Sequence, residues 1–183
     1  MDINIINKIF PEIESKEKLK YDEEGLWSIT LPEDADKICE VIETELGTKN
    51  ITIFDGTGGI GGNTISFCKK FKKVITCELD KERCMILNHN ISIYDINNIE
   101  IINGDCTEYL WKNADVYFYD PPWGGPNYKL NKKLRLKLGK KHLSEIIRED
   151  KLNIFKLPSN YDLSEFKQNY KLIKLKNYIL III

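Results

Sequence analysis

Apolar residues recur along this chain in two periods. Between Asp34 and Leu46, Ile38, Val41, Ile42 and Leu46 fall at helical spacing, and Thr30 and Pro32 stand where a cap and a first-turn proline belong. Residues 1–47 are charged and mixed, and they read as a helical N-terminal extension. From Asn50 the pattern changes to short apolar runs separated by helical stretches. Strands are expected at Ile51–Phe54, Lys73–Cys77, Ile99–Ile102, Asp115–Tyr119, Leu152–Leu157, Leu172–Leu175 and Tyr178–Ile183. Helices are expected at Asn63–Phe71, Lys81–Tyr94 and Leu163–Asn169. Strands alternating with helices imply an α/β domain over residues 48–183, built on a mostly parallel seven-stranded sheet. The last two apolar runs are too close for a crossover helix, so they should close the sheet as a C-terminal antiparallel hairpin.

Composition narrows this little. Hydrophobic residues make up 42% and charged residues 30%, as in ordinary globular domains. No segment holds the roughly 20 apolar residues of a membrane span, and Met1-Asp2-Ile3-Asn4 does not begin a signal peptide. The expectation is an intracellular, soluble protein without a membrane partner. Five cysteines (Cys39, Cys68, Cys77, Cys84, Cys106) form no CxxC pair, so no metal is expected and they read as small buried residues. Charge is unevenly spread. Lys129, Lys132, Lys133, Arg135, Lys137, Lys140 and Lys141 crowd one stretch with no acid between them, leaving 20 basic residues against 28 acids elsewhere. Such an island suits a local phosphate contact as well as a solvated loop.

The candidate chemistry lies where strands end. Asp120-Pro121-Pro122-Trp123-Gly124-Gly125-Pro126 follows the run Val116–Tyr119, at the carboxyl end where open α/β sheets bind ligands. Two prolines hold a loop still and leave carbonyls free to accept. A fixed carbonyl, a carboxylate and a flat aromatic suit a planar heterocycle bearing an amino group. Upstream, Gly56-Thr57-Gly58-Gly59-Ile60-Gly61 fits G-x-G-x-x-G, and Glu78 lies 23 residues after Asp55 at the next strand end. Alone this fits a nicotinamide dinucleotide site equally well. Asp55 directly before the glycines would repel a pyrophosphate but could meet a methionine amino group, and Gly104-Asp105-Cys106 offers an acid to an adenine amine. The three acids in this order favour S-adenosylmethionine.

The run from Asp55 to Asn63, then Glu78, Asp105 and Asp120 to Tyr128, resembles trimethylguanosine synthases, the cap-hypermethylating branch of the class I methyltransferases. Asp22–Thr30 is similar to that family's approach to its catalytic domain, so the likeness spans about Tyr21 to Tyr128, with a looser tail at Phe155–Pro158. It implies a Rossmann-like class I methyltransferase fold. It also implies methyl transfer from S-adenosylmethionine to the exocyclic N2 amine of a 7-methylguanosine cap, with S-adenosyl-L-homocysteine as product. The implied cofactor residues are Trp27, Thr30, Asp55, Gly56, Thr57, Gly58, Asn63, Glu78, Leu79, Asp105, Cys106 and Asp120, with Ser28 beside them. The implied catalytic residues are Asp120, Pro121 and Trp123. Trp123, Pro126, Tyr128, Lys129, Lys132 and Lys133 would hold capped RNA, the indole stacking on the cationic base and the basic residues facing the phosphate bridge. A monomer is expected. Leu31 departs from the family, which usually runs Thr-Pro-Glu here, and this puts the cofactor role of Thr30 in question. Trp111, His89 and His142 read as structural or surface residues. The competing readings are another RNA or DNA amino methyltransferase (ribosomal guanine-N2 or adenine-N6), a silent cap- or cofactor-binding subunit, and a nicotinamide oxidoreductase.

Overall fold

A computed structural model describes residues 2–183, with Pro126 described by its backbone alone. The strands are β1 Thr52–Asp55, β2 Lys73–Glu78, β3 Ile99–Asn103, β4 Val116–Tyr119, β5 Lys137–Leu138, β6 Lys141–His142, β7 Leu152–Pro158, β8 Lys171–Lys174 and β9 Tyr178–Ile182. Seven of them form one sheet in the order β3-β2-β1-β4-β7-β9-β8. β3, β2, β1, β4 and β7 run parallel. β9 pairs antiparallel with both β7 and β8. The α/β reading and its terminal hairpin hold. The chain moves outward from β1 to β2 and β3, then returns to place β4 on the other side of β1. That reversal opens a crevice at the carboxyl ends of β1 and β4, where ligands of such sheets bind.

Alternation along the strands makes two cores. The first 47 residues contain α1 (Ile3–Ile9), α2 (Glu23–Ser28) and α3 (Pro32–Leu46), with a 3-10 turn, Lys16–Lys18, between the first two. Val116 and Phe118 of β4 face α3 and α4 (Gly62–Lys70), packing with Ile38, Ile42 and Phe67. Tyr117 and Tyr119 point the other way, onto Phe54, Phe155 and Leu157. A third cluster joins Ile6, Ile9 and Phe10 at the N-terminus to Leu87 and Ile91 of α5 (Lys81–Ile93).

Two expectations change, and one connection is unlike the rest. Thr30 does not cap α3: Leu31 is the N-cap, without a side-chain bond, and Pro32 begins the helix. The helix expected over Leu163–Asn169 is one 3-10 turn, Leu163–Glu165. Asp162 caps it, and the Phe166 ring then packs against Phe155 at 5.3 Å and Tyr161 at 5.9 Å, which pulls the chain extended. The connection from β4 to β7 contains no α-helix. It carries a two-stranded ribbon, β5 paired antiparallel with β6. Leu136, Leu138, Leu143 and Ile146 from this connection cover the sheet face that a crossover helix would otherwise bury.

Candidate active site

The glycine loop leaves β1 and the Asp-Pro-Pro-Trp loop leaves β4, side by side. Asp120 donates its backbone N–H to Thr57 Oγ1 at 2.8 Å, and Gly56 donates to the Phe118 carbonyl at 2.9 Å. Gly58 lies so close to β2 that a Cβ would stand 2.5 Å from Thr76 Oγ1, so only glycine lets the loop descend there. Glu78 ends β2 and shapes this loop: Oε2 accepts from the Gly59 N–H at 2.7 Å and Oε1 from the Asp80 N–H at 2.8 Å. Arg83 ties the same carboxylate, at 3.5 Å, to Glu24 of α2, at 2.5 Å.

A pocket opens between these loops. Of the residues singled out from the sequence, Ser28, Thr30, Gly56, Thr57, Gly58, Asn63, Glu78, Leu79, Asp105, Cys106 and Asp120 line it, joined by Pro122. Burial pushes the Cys106 thiol up to about 12, so it is a neutral wall. Thr30 is not displaced by Leu31; it donates to Asp120 Oδ2 at 3.0 Å and accepts from Asn63 Nδ2, also at 3.0 Å. Asn63 Oδ1 is buried without a partner on the same wall, an acceptor left for an incoming donor.

Other expected residues sit elsewhere. Trp27 is 74% exposed and does not line the pocket, because α2 turns Ser28 toward it and the indole toward solvent. Asp55 is fully buried beneath the glycine loop, where its carboxylate accepts from the Thr57 N–H at 3.1 Å and the Thr64 hydroxyl at 2.6 Å. Pro121 is buried beside the pocket. Trp123 is half-buried, touches both sheet cores and meets Tyr128 edge to face at 5.1 Å, with its indole N–H buried and unpartnered. It stands outside the pocket because the loop turns at Pro122 and packs the ring back on the sheet. Lys129, Lys132 and Lys133 are exposed on the connection beyond it, while Arg135 is committed to Asp162 at 3.1 Å. The Pro126 side chain lies outside the described residues.

Two features escaped the sequence reading. The ribbon brings Lys137, Leu138 and Gly139 onto the pocket beside Asp105. Gly139 has φ +55°, and a Cβ there would collide with the Asp105 carboxylate. Lys156 of β7 is buried, with its ammonium 2.6 Å from Asp120 Oδ2 and 2.9 Å from Thr30 Oγ1. Its only sequence signal was a cation inside the apolar run Leu152–Leu157. Among the described residues no group of His, Cys, Asp or Glu is arranged to hold a metal, and no helix is long and apolar enough to cross a membrane.

The family model of the RNA cap guanine-N2 methyltransferases matches residues 50–181, from just before β1 into β9. The chain belongs to that family. Membership makes it a methyltransferase of the S-adenosylmethionine-dependent, RNA-modifying kind. An uncharacterized protein of Acanthamoeba polyphaga mimivirus is 32% identical over 196 residues, spanning 89% of this chain and 77% of that protein. The trimethylguanosine synthase of Schizosaccharomyces pombe is 32% identical over 126 residues, 58% of this chain and 49% of its own length. The chain therefore spans about half of that relative. Among solved structures, the Thermus thermophilus 16S rRNA N2 methyltransferase in complex with AdoMet and guanosine superposes with a TM-score of 0.64 at 15% identity, over 89% of this chain and 43% of that one. A hypothetical protein from the same bacterial species gives 0.67 at 12% identity, over 90% and 91%. At these identities the likeness is one of fold.

The buried carboxylate of Asp55 makes stability depend on pH. Burial pushes it from 3.8 up to about 7, with the carboxylates of Asp120 and Glu78 adding to the rise and the bonds from Thr64 and Thr57 opposing it. Between those two values the folded chain holds a proton that the unfolded chain has lost. This group's contribution to stability therefore falls as pH rises through that window. Unfolding temperatures of the wild type and of Asp55→Asn should converge, or cross in favour of the variant, as pH rises from about 5 to about 8. Parallel curves would contradict the assignment.

Proposed function

We propose that this protein methylates the exocyclic N2 amine of a guanine cap, with 7-methylguanosine as the acceptor and S-adenosylmethionine as the donor. The observation that carries the reading is the direct junction of the two loops at the sheet's reversal point, Asp120 N–H to Thr57 Oγ1. It joins the glycine loop and the Asp-Pro-Pro-Trp loop on one crevice, which supports their reading as a cofactor loop and an amine-holding loop.

The residues fit the donor. Glu78 stands where ribose hydroxyls are accepted, Asp105 and Cys106 flank the adenine side with Leu79 and Leu138, and the unpartnered Asn63 Oδ1 suits an ammonium. Asp55 acts from beneath the loop, as a negative charge that a bound ammonium would favour. When bound, the cofactor supplies a methyl group activated on a sulfonium. This chain's part is orientation. The exocyclic amine of guanine is a weak nucleophile because its lone pair is delocalised into the ring. The Pro121 carbonyl and the Asp120 carboxylate accept its hydrogen bonds and aim that lone pair, and alignment of this kind is worth several kcal/mol. The face of Trp123 is the platform for the base, and reaching it requires the base to enter beside Pro122 and Tyr128.

The exposed basic residues then meet the phosphate bridge. Replacing Lys129, Lys132 and Lys133 by glutamine should raise the KM for cap severalfold and flatten its dependence on salt, with kcat little changed. Identical KM values at low and moderate salt would return this stretch to a solvated loop.

One observation favours a second reading, an unmethylated guanine in RNA as acceptor. The Lys156 ammonium stands 5.2 Å from the centroid of the Trp123 ring and already uses part of its attraction for cations. Parallel assays on 7-methylguanosine cap, unmethylated cap and uncapped RNA separate the two. The proposal requires the methylated cap to be preferred in kcat/KM, and preference for uncapped guanine overturns it.

A further inference from the structure

A lysine ammonium inside a sheet is costly unless its charge and its hydrogens are taken up. Lys156 lies on β7 between Phe155 and Leu157, both fully buried, and its side chain is 8% exposed. Its charge and two of its three hydrogens are taken up at one place. It donates to Asp120 Oδ2 at 2.6 Å and to Thr30 Oγ1 at 2.9 Å. It also stands 5.2 Å from the Trp123 ring centroid and 5.1 Å from that of Tyr178 on β9. Four segments far apart in sequence therefore converge on one nitrogen: the lead-in to α3, the Asp-Pro-Pro-Trp loop, β7 and β9.

The hydrogen bonds this makes are asymmetric. Both side-chain bonds to the Asp120 carboxylate, from Thr30 and Lys156, fall on Oδ2. Thr30 Oγ1 is saturated, giving its hydrogen to Asp120 and accepting from Lys156 and Asn63. With Oδ2 tied on one side and the backbone N–H of Asp120 tied to Thr57 on the other, the carboxylate has one orientation. Oδ1 is the oxygen left for a ligand in the pocket that Asp120 lines.

We propose that Lys156 is a positioning residue for methyl transfer: it clamps Oδ2 of Asp120 and props the ring of Trp123, so that Oδ1 and the indole present a fixed frame to the substrate amine. This rests on the methyl-transfer reading of the site. Lys156 itself does not line the cofactor pocket, so the larger part of its effect falls on the chemical step. The charged and titratable groups around the pair are Asp55 on β1, Tyr178 on β9 and Asp34 on α3. None of them is a cation that could replace it.

The test compares Lys156→Met, Asp120→Asn and the double variant, using guanine methyl transfer, calorimetric affinity for S-adenosylhomocysteine and thermal unfolding. Lys156→Met should lower kcat by about 100-fold, the loss expected from a misplaced group, while cofactor affinity changes less than about threefold. The double variant should be no slower than the worse single one and should unfold at a higher temperature than Lys156→Met, because no buried charge is then left alone. Wild-type kcat in Lys156→Met, losses in kcat that add across the pair, or cofactor affinity falling in step with rate would each overturn the proposal. Coupling seen in unfolding but not in kcat would make Lys156 a structural anchor and would also overturn it. A wild type that binds cofactor yet methylates no guanine would instead defeat the functional reading, with the unfolding coupling still standing as a property of the ion pair.

Discussion

Trp123→Ala is expected to abolish guanine methylation while leaving cofactor affinity within about threefold of wild type. The ring lies outside the pocket proposed for the cofactor, so on this reading its loss removes the base platform and none of the cofactor's wall. Stacking and cation–π attraction to a methylated base account for roughly 0.5–2 kcal/mol of binding, but the larger loss is alignment, which binding energy alone does not measure. The placement of the indole adds a second effect. Trp123 packs on both cores, against Tyr128 at 5.1 Å and near Lys156. Truncating a buried aromatic to alanine destabilises by about 3 kcal/mol or more, and half-burial puts this site at the low end. The measurement therefore pairs Trp123→Ala with Trp123→Phe, both studied well below their unfolding temperatures. The phenylalanine should recover most of the stability and part of the rate. Cofactor affinity that collapses along with rate in both variants would make Trp123 a packing residue.

Glu78→Ala carries the second large effect, on the cofactor side. Its two oxygens already hold the Gly59 and Asp80 N–H groups, with Arg83 beside Oε1, and Oε2 still has a lone pair for a ribose hydroxyl. Hydrogen bonds to a charged acceptor contribute roughly 1.5–3 kcal/mol each. Losing the ribose contact and freeing the glycine loop should together raise the Kd for S-adenosylhomocysteine at least about tenfold. Titration calorimetry reads this directly. Glu78→Gln, which keeps the shape, should fall between. An unchanged Kd in Glu78→Ala would remove the residue from the cofactor site.

Much of this site was legible in the amino-acid sequence because strand ends announce themselves. Asp55, Glu78 and Asp120 each follow a buried apolar run, and a parallel sheet brings such ends to one rim. The residues read as a cofactor loop line the pocket for the same reason. What was not legible depends on where side chains turn after the strand ends. Asp55 closes β1 from below, since its carboxylate caps the loop it precedes. Trp27 and Trp123 are aromatic and near the site in sequence, yet one faces solvent and the other packs on the sheet. The ribbon Lys137–His142 consists of two-residue strands, too short for any period to show, and its contact with Asp105 depends on the positive φ of Gly139. Thr30 reads as a helix cap because threonine is a favoured capping residue and a proline follows two positions on, where a helix begins. Here Asn63, Asp120 and Lys156 use its hydroxyl instead. Lys156 was hidden by its setting, for a lysine within a strand reads as an exposed position until the partner carboxylate is found.

The central claim is that this crevice joins a sulfonium donor to the N2 amine of a methylated cap guanine. Incubation with labelled S-adenosylmethionine and a 7-methylguanosine cap dinucleotide, followed by mass analysis of the released nucleoside, tests it most directly. The account predicts one or two added methyl groups, all on N2, with much slower product formation from the unmethylated cap. Label appearing on adenine, on ribose or nowhere, from a protein that binds the cofactor, would contradict it.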